Sequence, residues 1–391
     1  MGFDEIKIGD AVTFQRGFDI TKNEQSTGDV PIVSSSGVSS YHNQWKTKGP
    51  GVVIGRKGTL GTVHYLKGDF WPHDTTLWVK DFKGNNRRFI YYFLRTLHLE
   101  NFDTGSSNPT LNRNHVHKIK VVFPNLYLQQ KIAAVLSAYD DLIESNKRRI
   151  ALLEKMAEEI YREWFVRMRF PGHEKVKFEK GVPEGWEQKP SNEVLDVLSG
   201  GTPKTDVPAY WGGHIPFFTP KDAADNFYVL NTEKNITEKG LRTCNSRLYK
   251  KDTIFITARG TVGKLVLANR DMAMNQSCYA LLPKSGRDVY FYFLAIKTAI
   301  SYIKGVSKSG VFDNIIVDTF KVVPILMPTD ELVKRFNELI RPLFQQTATL
   351  LQENEVLVET RNKLLPRLIS GNLSVENLDI QFPPGMTDMQ R

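Results

Sequence analysis

Cysteine is nearly absent: Cys244 and Cys278 are the only two in 391 residues. Two thiols build neither a disulfide framework nor a zinc site of paired thiolates. There is also no apolar run of the ~18–20 residues that a bilayer-spanning helix needs, so no membrane contact is expected. The opening stretch MGFDEIKIGD lacks the basic and then apolar regions of a secretory signal, and Ile6 stands where a myristoylation pattern wants Ser or Thr. These absences predict a cytoplasmic protein.

Catalytic motifs are missing too. Gly260-Thr261-Val262-Gly263-Lys264 lacks the glycine spacing of a phosphate loop and the Ser/Thr after its lysine, and its twin at Gly58–Gly61 has no lysine. No Asn/Asp-Pro-Pro-aromatic tetrad marks an adenine methyltransferase centre; Pro383-Pro384 is preceded by Phe382 and followed by Gly385. Asp81-Phe82-Lys83 and Glu187-Gln188-Lys189 are fragments of a nuclease-like acid-x-Lys pattern without an upstream acid in context, and read as surface charge. His115 and His117 alternate on an expected strand with no third ligand near them, so no metal site is expected.

What is present is a basic, ordinary globular composition: 41% hydrophobic, 24% charged, net charge +9. The length allows two domains with their own cores. Residues 1–124 carry 16 Lys/Arg against 11 Asp/Glu, and residues 171–328 carry 21 against 16. The same excess in two separate blocks fits two contacts with a polyanion; a solvated basic surface is the plainer alternative.

Those blocks are related to one another. Val52–Gly61, an apolar strand followed by Arg-Lys-Gly-Thr-Leu-Gly, returns as Ile254–Gly263, ending Arg-Gly-Thr-Val-Gly. Further on, His73-Asp74-Thr75-Thr76 is matched to Met274-Asn275-Gln276-Ser277, and Tyr91–Leu94 to Phe291–Leu294. Each block closes on an apolar strand ending in proline, Pro124 and Pro328. A period near 200 residues is a duplicated domain and not a solenoid. Val52–Ile54, Leu77–Val79, Thr253–Thr257 and Lys321–Leu326 read as strands, and Arg87–Leu97 and Asp288–Ile303 as helices, which predicts α+β domains around a central irregular sheet.

After each proline comes a long helix. In the first, Ile132, Leu136, Tyr139, Ile143, Asn146, Ile150, Leu153, Ala157, Ile160 and Trp164 alternate at spacings of four and three. The second repeats the pattern with Phe336, Ile340, Leu343, Thr347, Leu350, Asn354, Leu357, Arg361, Leu364 and Leu368, with Pro342 near its start. This is a coiled-coil seam over more than four heptads. Asn146 and Asn354 at seam positions either fix the register or face a wet edge, and Arg361 is expected to snorkel. Each block feeds the start of its own helix, so antiparallel packing puts the blocks at opposite ends with pseudo-two-fold symmetry and needs only a short link between them.

The order block, helix, block, helix, with the exit phrases Ile160-Tyr161-Arg162-Glu163-Trp164-Phe165, Val182-Pro183-Glu184-Gly185-Trp186 and Leu364-Leu365-Pro366-Arg367-Leu368-Ile369-Ser370-Gly371, resembles the specificity subunits of type I restriction-modification enzymes over nearly the whole chain. The resemblance implies target-recognition domains at 1–124 and 186–328, helical regions at 125–168 and 329–370, a linker at 169–185 and a tail at 371–391. It implies a non-catalytic chain that reads a split, asymmetric site on double-stranded DNA. Its helices would set the spacer and dock two methyltransferase subunits and the restriction subunits. No cofactor is expected on this chain; S-adenosylmethionine, ATP and Mg2+ would belong to the partners. Arg56, Lys57, Arg259 and Lys264 flank glycine turns where backbone can approach DNA, and Asn275, Gln276, His73 and Asp74 are candidates for reading bases. Ser106, Asn108, Arg113, Lys221, Arg247 and Lys308 in polar loops are further candidate contacts. The competing reading is a coiled-coil scaffold whose basic heads bind protein or RNA.

Overall fold

A computed structural model describes residues 2–102, 110–284, 286, 288–306 and 314–382. It divides into two compact units, Met1–Ile143 with Val356–Arg391, and Glu144–Glu355. Each combines one mixed domain with portions of both long helices.

In the first unit, Gly51–Gly55 is buried on both faces, as its unbroken apolar run dictates. It sits inside a four-stranded sheet ordered Thr13–Arg16, Thr76–Asp81, Gly51–Gly55, Val63–Leu66. A three-stranded sheet, Gly37–His42, Val30–Ser34 and Trp71–Pro72, stands beside it, and Phe3–Lys7 pairs antiparallel with Lys120–Pro124.

The second unit repeats the plan. Leu195–Ser199, Cys278–Pro283, Ile254–Thr257 and Leu265–Ala268 are joined by Tyr228–Val229 in a five-stranded sheet. Lys234–Ile236, Trp211–Phe218 and Ala273–Met274 form the three-stranded sheet, and Glu187–Pro190 pairs with Pro324–Met327. The expected single central sheet is thus divided in each domain. The expected strand at Lys321–Leu326 also splits: Thr319–Val322 is a helical turn and the strand begins at Pro324, because Pro324 lacks the N–H that would carry a helix onward.

The duplication is legible in the registers. Val33 pairs in parallel with Pro72, and Phe218 pairs in parallel with Met274. Gly55 faces Thr76, as Thr257 faces Cys278. These pairings correct the sequence match by one residue: His73 corresponds to Asn275, and Asp74 to Gln276.

The helices expected at Arg87–Leu97 and Asp288–Ile303 are Arg87–Arg95 and Val289–Val306. In the first unit Phe89 and Phe93 hold Phe123 with ring centroids 5.5 and 5.0 Å away, and Arg88 clamps Asp141 through bonds of 3.1 and 2.9 Å. In the second unit Phe165 packs on Phe291 at 5.0 Å and on Phe336 at 4.9 Å. His115 and His117 lie on a short helix, Arg113–Lys118, not on a strand. Asn112 caps it by accepting from the Asn114 N–H, which overrides the two-residue alternation. His117 Nε2 accepts the Phe14 N–H at 3.0 Å, and burial with the charges of Lys83 and Arg113 lowers its pKa; it is a structural imidazole.

The long helices run Leu126–Tyr161 and Asp330–Ile369, the second continuing through Pro342 and Pro366. In both units they pack antiparallel. In the first, Leu128, Ile132 and Leu136 share a core with Leu365, Leu368 and Ile369, Asp140 pairs with Arg361, and Lys131 reaches the carbonyls of Glu376 and Leu378 beyond the second helix. In the second, Tyr161 lies 6.0 Å from Phe336, and Ile150 shares a core with Leu350. Every expected seam residue is buried or half-buried, Trp164 within a π-helical turn, Arg162–Val166, past the first helix. Arg361 does not snorkel: its side chain is 14% exposed and bonded to Asp140, which also accepts from the Tyr92 hydroxyl. A carboxylate on the facing helix gives it a partner that a purely apolar seam would not.

Candidate nucleic-acid interface

The Gly-Thr-aliphatic-Gly segment is the same tight turn in both domains. Gly58 and Gly61 adopt φ +79° and +72°, and Gly260 and Gly263 adopt +76° and +74°, a region closed to most L-residues. Gly55 N–H donates to Thr62 at 2.8 Å and Gly61 N–H to Gly55 at 3.0 Å; Thr257 to Lys264 at 3.0 Å and Gly263 to Thr257 at 2.8 Å repeat them. The turn is fastened to the loop after the short parallel strand by Arg56 N–H on Thr75 O at 2.9 Å, and by Ala258 N–H on Ser277 O at 2.8 Å. A second glycine completes each frame. A Cβ on Gly17 would lie 2.1 Å from His73 O, and one on Gly200 would lie 2.2 Å from Asn275 O, so both strands press directly on that loop.

On this shared frame the second domain carries an open cleft of about 460 Å³, lined by Lys221, Arg259, Asn275 and Gln276 together with Trp211 and Lys234. Gln276 is exposed and its carbonyl accepts from the Thr202 hydroxyl. Asn275 Oδ1 accepts the Ser277 N–H at 3.0 Å. The Lys234 ammonium stands 5.6 Å from the Trp211 ring centroid, placing a cation beside an aromatic wall. Lys264 is turned elsewhere: its ammonium bonds Asp225 at 2.6 Å. Arg247 is exposed but does not line the cleft.

The first domain fills the same positions with charge. Arg16 bonds the Asp74 carboxylate at 2.8 Å, Arg56 Nη1 reaches the Asp74 carbonyl at 3.3 Å, and His73 Nδ1 lies 3.0 Å from the carboxylate. Burial works to raise the Asp74 pKa, but the hydrogen bond from Arg16 and the charges of His73 and Arg16 outweigh it and hold the group below the usual carboxylate range. Burial and the adjacent Arg16 charge lower the pKa of Arg56. Lys57 is exposed on the turn, paired through backbone with Thr110, and Leu111 N–H donates to Arg56 O at 2.9 Å. Arg113, exposed, opens the next helix. Ser106, Asn108 and Lys308 lie outside the described residues.

The structure therefore brings Arg56, Lys57, His73 and Asp74 together on one face, and Lys221, Arg259, Asn275 and Gln276 on the other. Sequence reasoning missed Arg16, Thr202, Trp211 and Lys234. The pair Arg16-Gly17 and Ser199-Gly200 precedes each close approach and was the available signal.

The model for the type I restriction modification DNA specificity domain matches residues 1–155 and again 183–360. The chain belongs to this family. The MjaIX specificity subunit of Methanocaldococcus jannaschii is 27% identical over 302 residues, 74% of this chain and 70% of that one. The HindI specificity subunit of Haemophilus influenzae is 22% identical over 328 residues, 68% of this chain and 71% of that one. The crystal structure of a type I restriction-modification S subunit from M. genitalium shares the fold, with a TM-score of 0.63 over 94% of this chain and 96% of that chain at 17% identity. As a type I specificity chain it is a DNA-recognition subunit and not an enzyme. Its two family matches fall on the two copies of the duplicated domain. No helix among the described residues is long and apolar enough to cross a membrane.

Proposed function

We propose that this chain directs a type I restriction-modification complex to a split DNA site, reading one half with each of the two glycine-framed faces. One observation carries the reading: the same backbone frame is built twice, and the side chains it carries differ, Lys57 against Arg259, His73 against Asn275, Asp74 against Gln276. A duplicated frame with unlike side chains is what an asymmetric bipartite target requires, since phosphate contacts position a reader while base edges demand particular donors and acceptors.

The partners are duplex DNA, two methyltransferase subunits and the restriction subunits. The chemistry is theirs, with S-adenosylmethionine, ATP and Mg2+ bound on them and adenine N6 as the methylated atom. The complex works in the cytoplasm, where its DNA is. The long helices, 36 and 40 residues, are roughly 54 and 60 Å long at 1.5 Å per residue and set the gap between half-sites.

Titrating labelled duplexes with the chain assembled on its methyltransferase subunits tests this. Binding to one bipartite sequence should exceed binding to a scrambled duplex by about 10³-fold or more and weaken steeply with salt. Equal affinity for both duplexes, or preference for RNA, would overturn the proposal and favour a scaffold.

A further inference from the structure

The two reading faces share a frame but carry different side chains on the loop after the short parallel strand. In the first domain the strand that Gly17 presses against the 72–74 loop ends in Arg16, whose guanidinium is bound to Asp74 at 2.8 Å. The Asp74 side chain is 17% exposed and that of Arg16 is 50% exposed. Asp19, 82% exposed, lies 3.9 Å from the same Arg16 nitrogen, so both acidic contacts fall on Nη2 and half of the side chain faces solvent. Arg56 Nη1 donates to the backbone carbonyl of the same residue at 3.3 Å. At the equivalent position the second domain has Ser199, and its loop offers the Asn275 and Gln276 amides instead.

We propose that Arg16, oriented by Asp74, reads guanine in the half-site of the first domain. A guanidinium only donates, through five N–H groups in a fixed fork, and Asp74 takes one of those on Nη2. In the major groove guanine alone presents two adjacent acceptors, O6 and N7; adenine pairs an acceptor with a donor, which arginine cannot satisfy. The hydrogen bond to Asp74 limits the guanidinium's rotation and so sharpens this choice. A phosphate is a poorer match, because the Asp74 and Asp19 carboxylates both lie beside the same guanidinium and repel an anion. The second domain, with side-chain amides at its tip and no guanidinium tied to a carboxylate there, lacks this device. The inference rests on the DNA-reading function proposed above.

The test is methylation of a randomised duplex library by the complex of this chain with its methyltransferase subunits, comparing the natural chain with Arg16→Lys and Arg16→Gln. The natural complex should require a guanine in one half-site. Both variants should relax that single position by about 10- to 100-fold, the range of one bidentate base contact, and leave the other half-site and the gap unchanged. A motif without a required guanine, or an unchanged motif in the variants, would overturn the assignment. So would uniform weakening across sequences with a shallower salt dependence, which marks a phosphate contact. Loss of all methylation in both variants would make Arg16 a structural residue and overturn it as well. A natural complex with no sequence preference would sink the underlying function, a result distinct from all of these.

Discussion

Lengthening both long helices by one heptad, between Ile143 and Glu144 and between Glu355 and Val356, should move the preferred gap between half-sites without altering either half-site. These junctions are where each helix passes from one unit to the other, so neither core is cut. Seven residues add roughly 10 Å of helix, about three base pairs at 3.4 Å each. A heptad turns a helix to within about 20° of two full revolutions, so the seam faces stay aligned. Three base pairs also rotate a half-site by roughly 100° about the duplex axis, so binding should weaken while the optimum gap lengthens. The assay is methylation of plasmids whose half-sites are separated by every gap from short to long. An unchanged optimum, or a changed half-site at the old optimum, would refute the reasoning. Insertion into only one helix should unpair the seam and lower thermal stability.

Two further perturbations probe the second unit. Asn146 is 1% exposed with no hydrogen-bonding partner among the described residues for either amide atom, so Asn146→Leu should raise stability by about 1–2 kcal/mol in a denaturant melt, and a lower midpoint would contradict this. Glu154 accepts the Phe227 N–H at 2.7 Å, but burial outweighs that bond and the Lys297 charge and pushes its pKa up to about 7. A carboxyl with a raised folded pKa favours the fold while protonated, so that contribution is full below about pH 4.5 and is lost as the pH rises to about 7. Glu154→Gln keeps the acceptor without the charge and should gain on the natural chain by roughly 2–3 kcal/mol between pH 5 and pH 8; a gap independent of pH would contradict the assignment.

The seam was readable because a helix repeats its buried face every three to four residues, and each predicted seam position is at least half-buried. The duplication was readable from the glycine turns, since their left-handed backbone restricts the residues allowed there. What escaped notice depends on partners far apart in sequence. Arg16 acquires its role from Asp74, 58 residues on, and Arg361 from Asp140, 221 residues back. Neither spacing leaves a local pattern. The one-residue error in matching His73 has a related cause, because the register there is fixed by pairing with Val33 and Phe218, outside the matched segments. At His115 and His117 a visible alternation misled, since the Asn112 cap decided for helix.

Adenine methylation mapped across host DNA, with and without this chain, tests the account most directly. One split, asymmetric sequence should be methylated on both strands when the chain is present and unmethylated when it is removed. A methylation map that does not change on removal would contradict it.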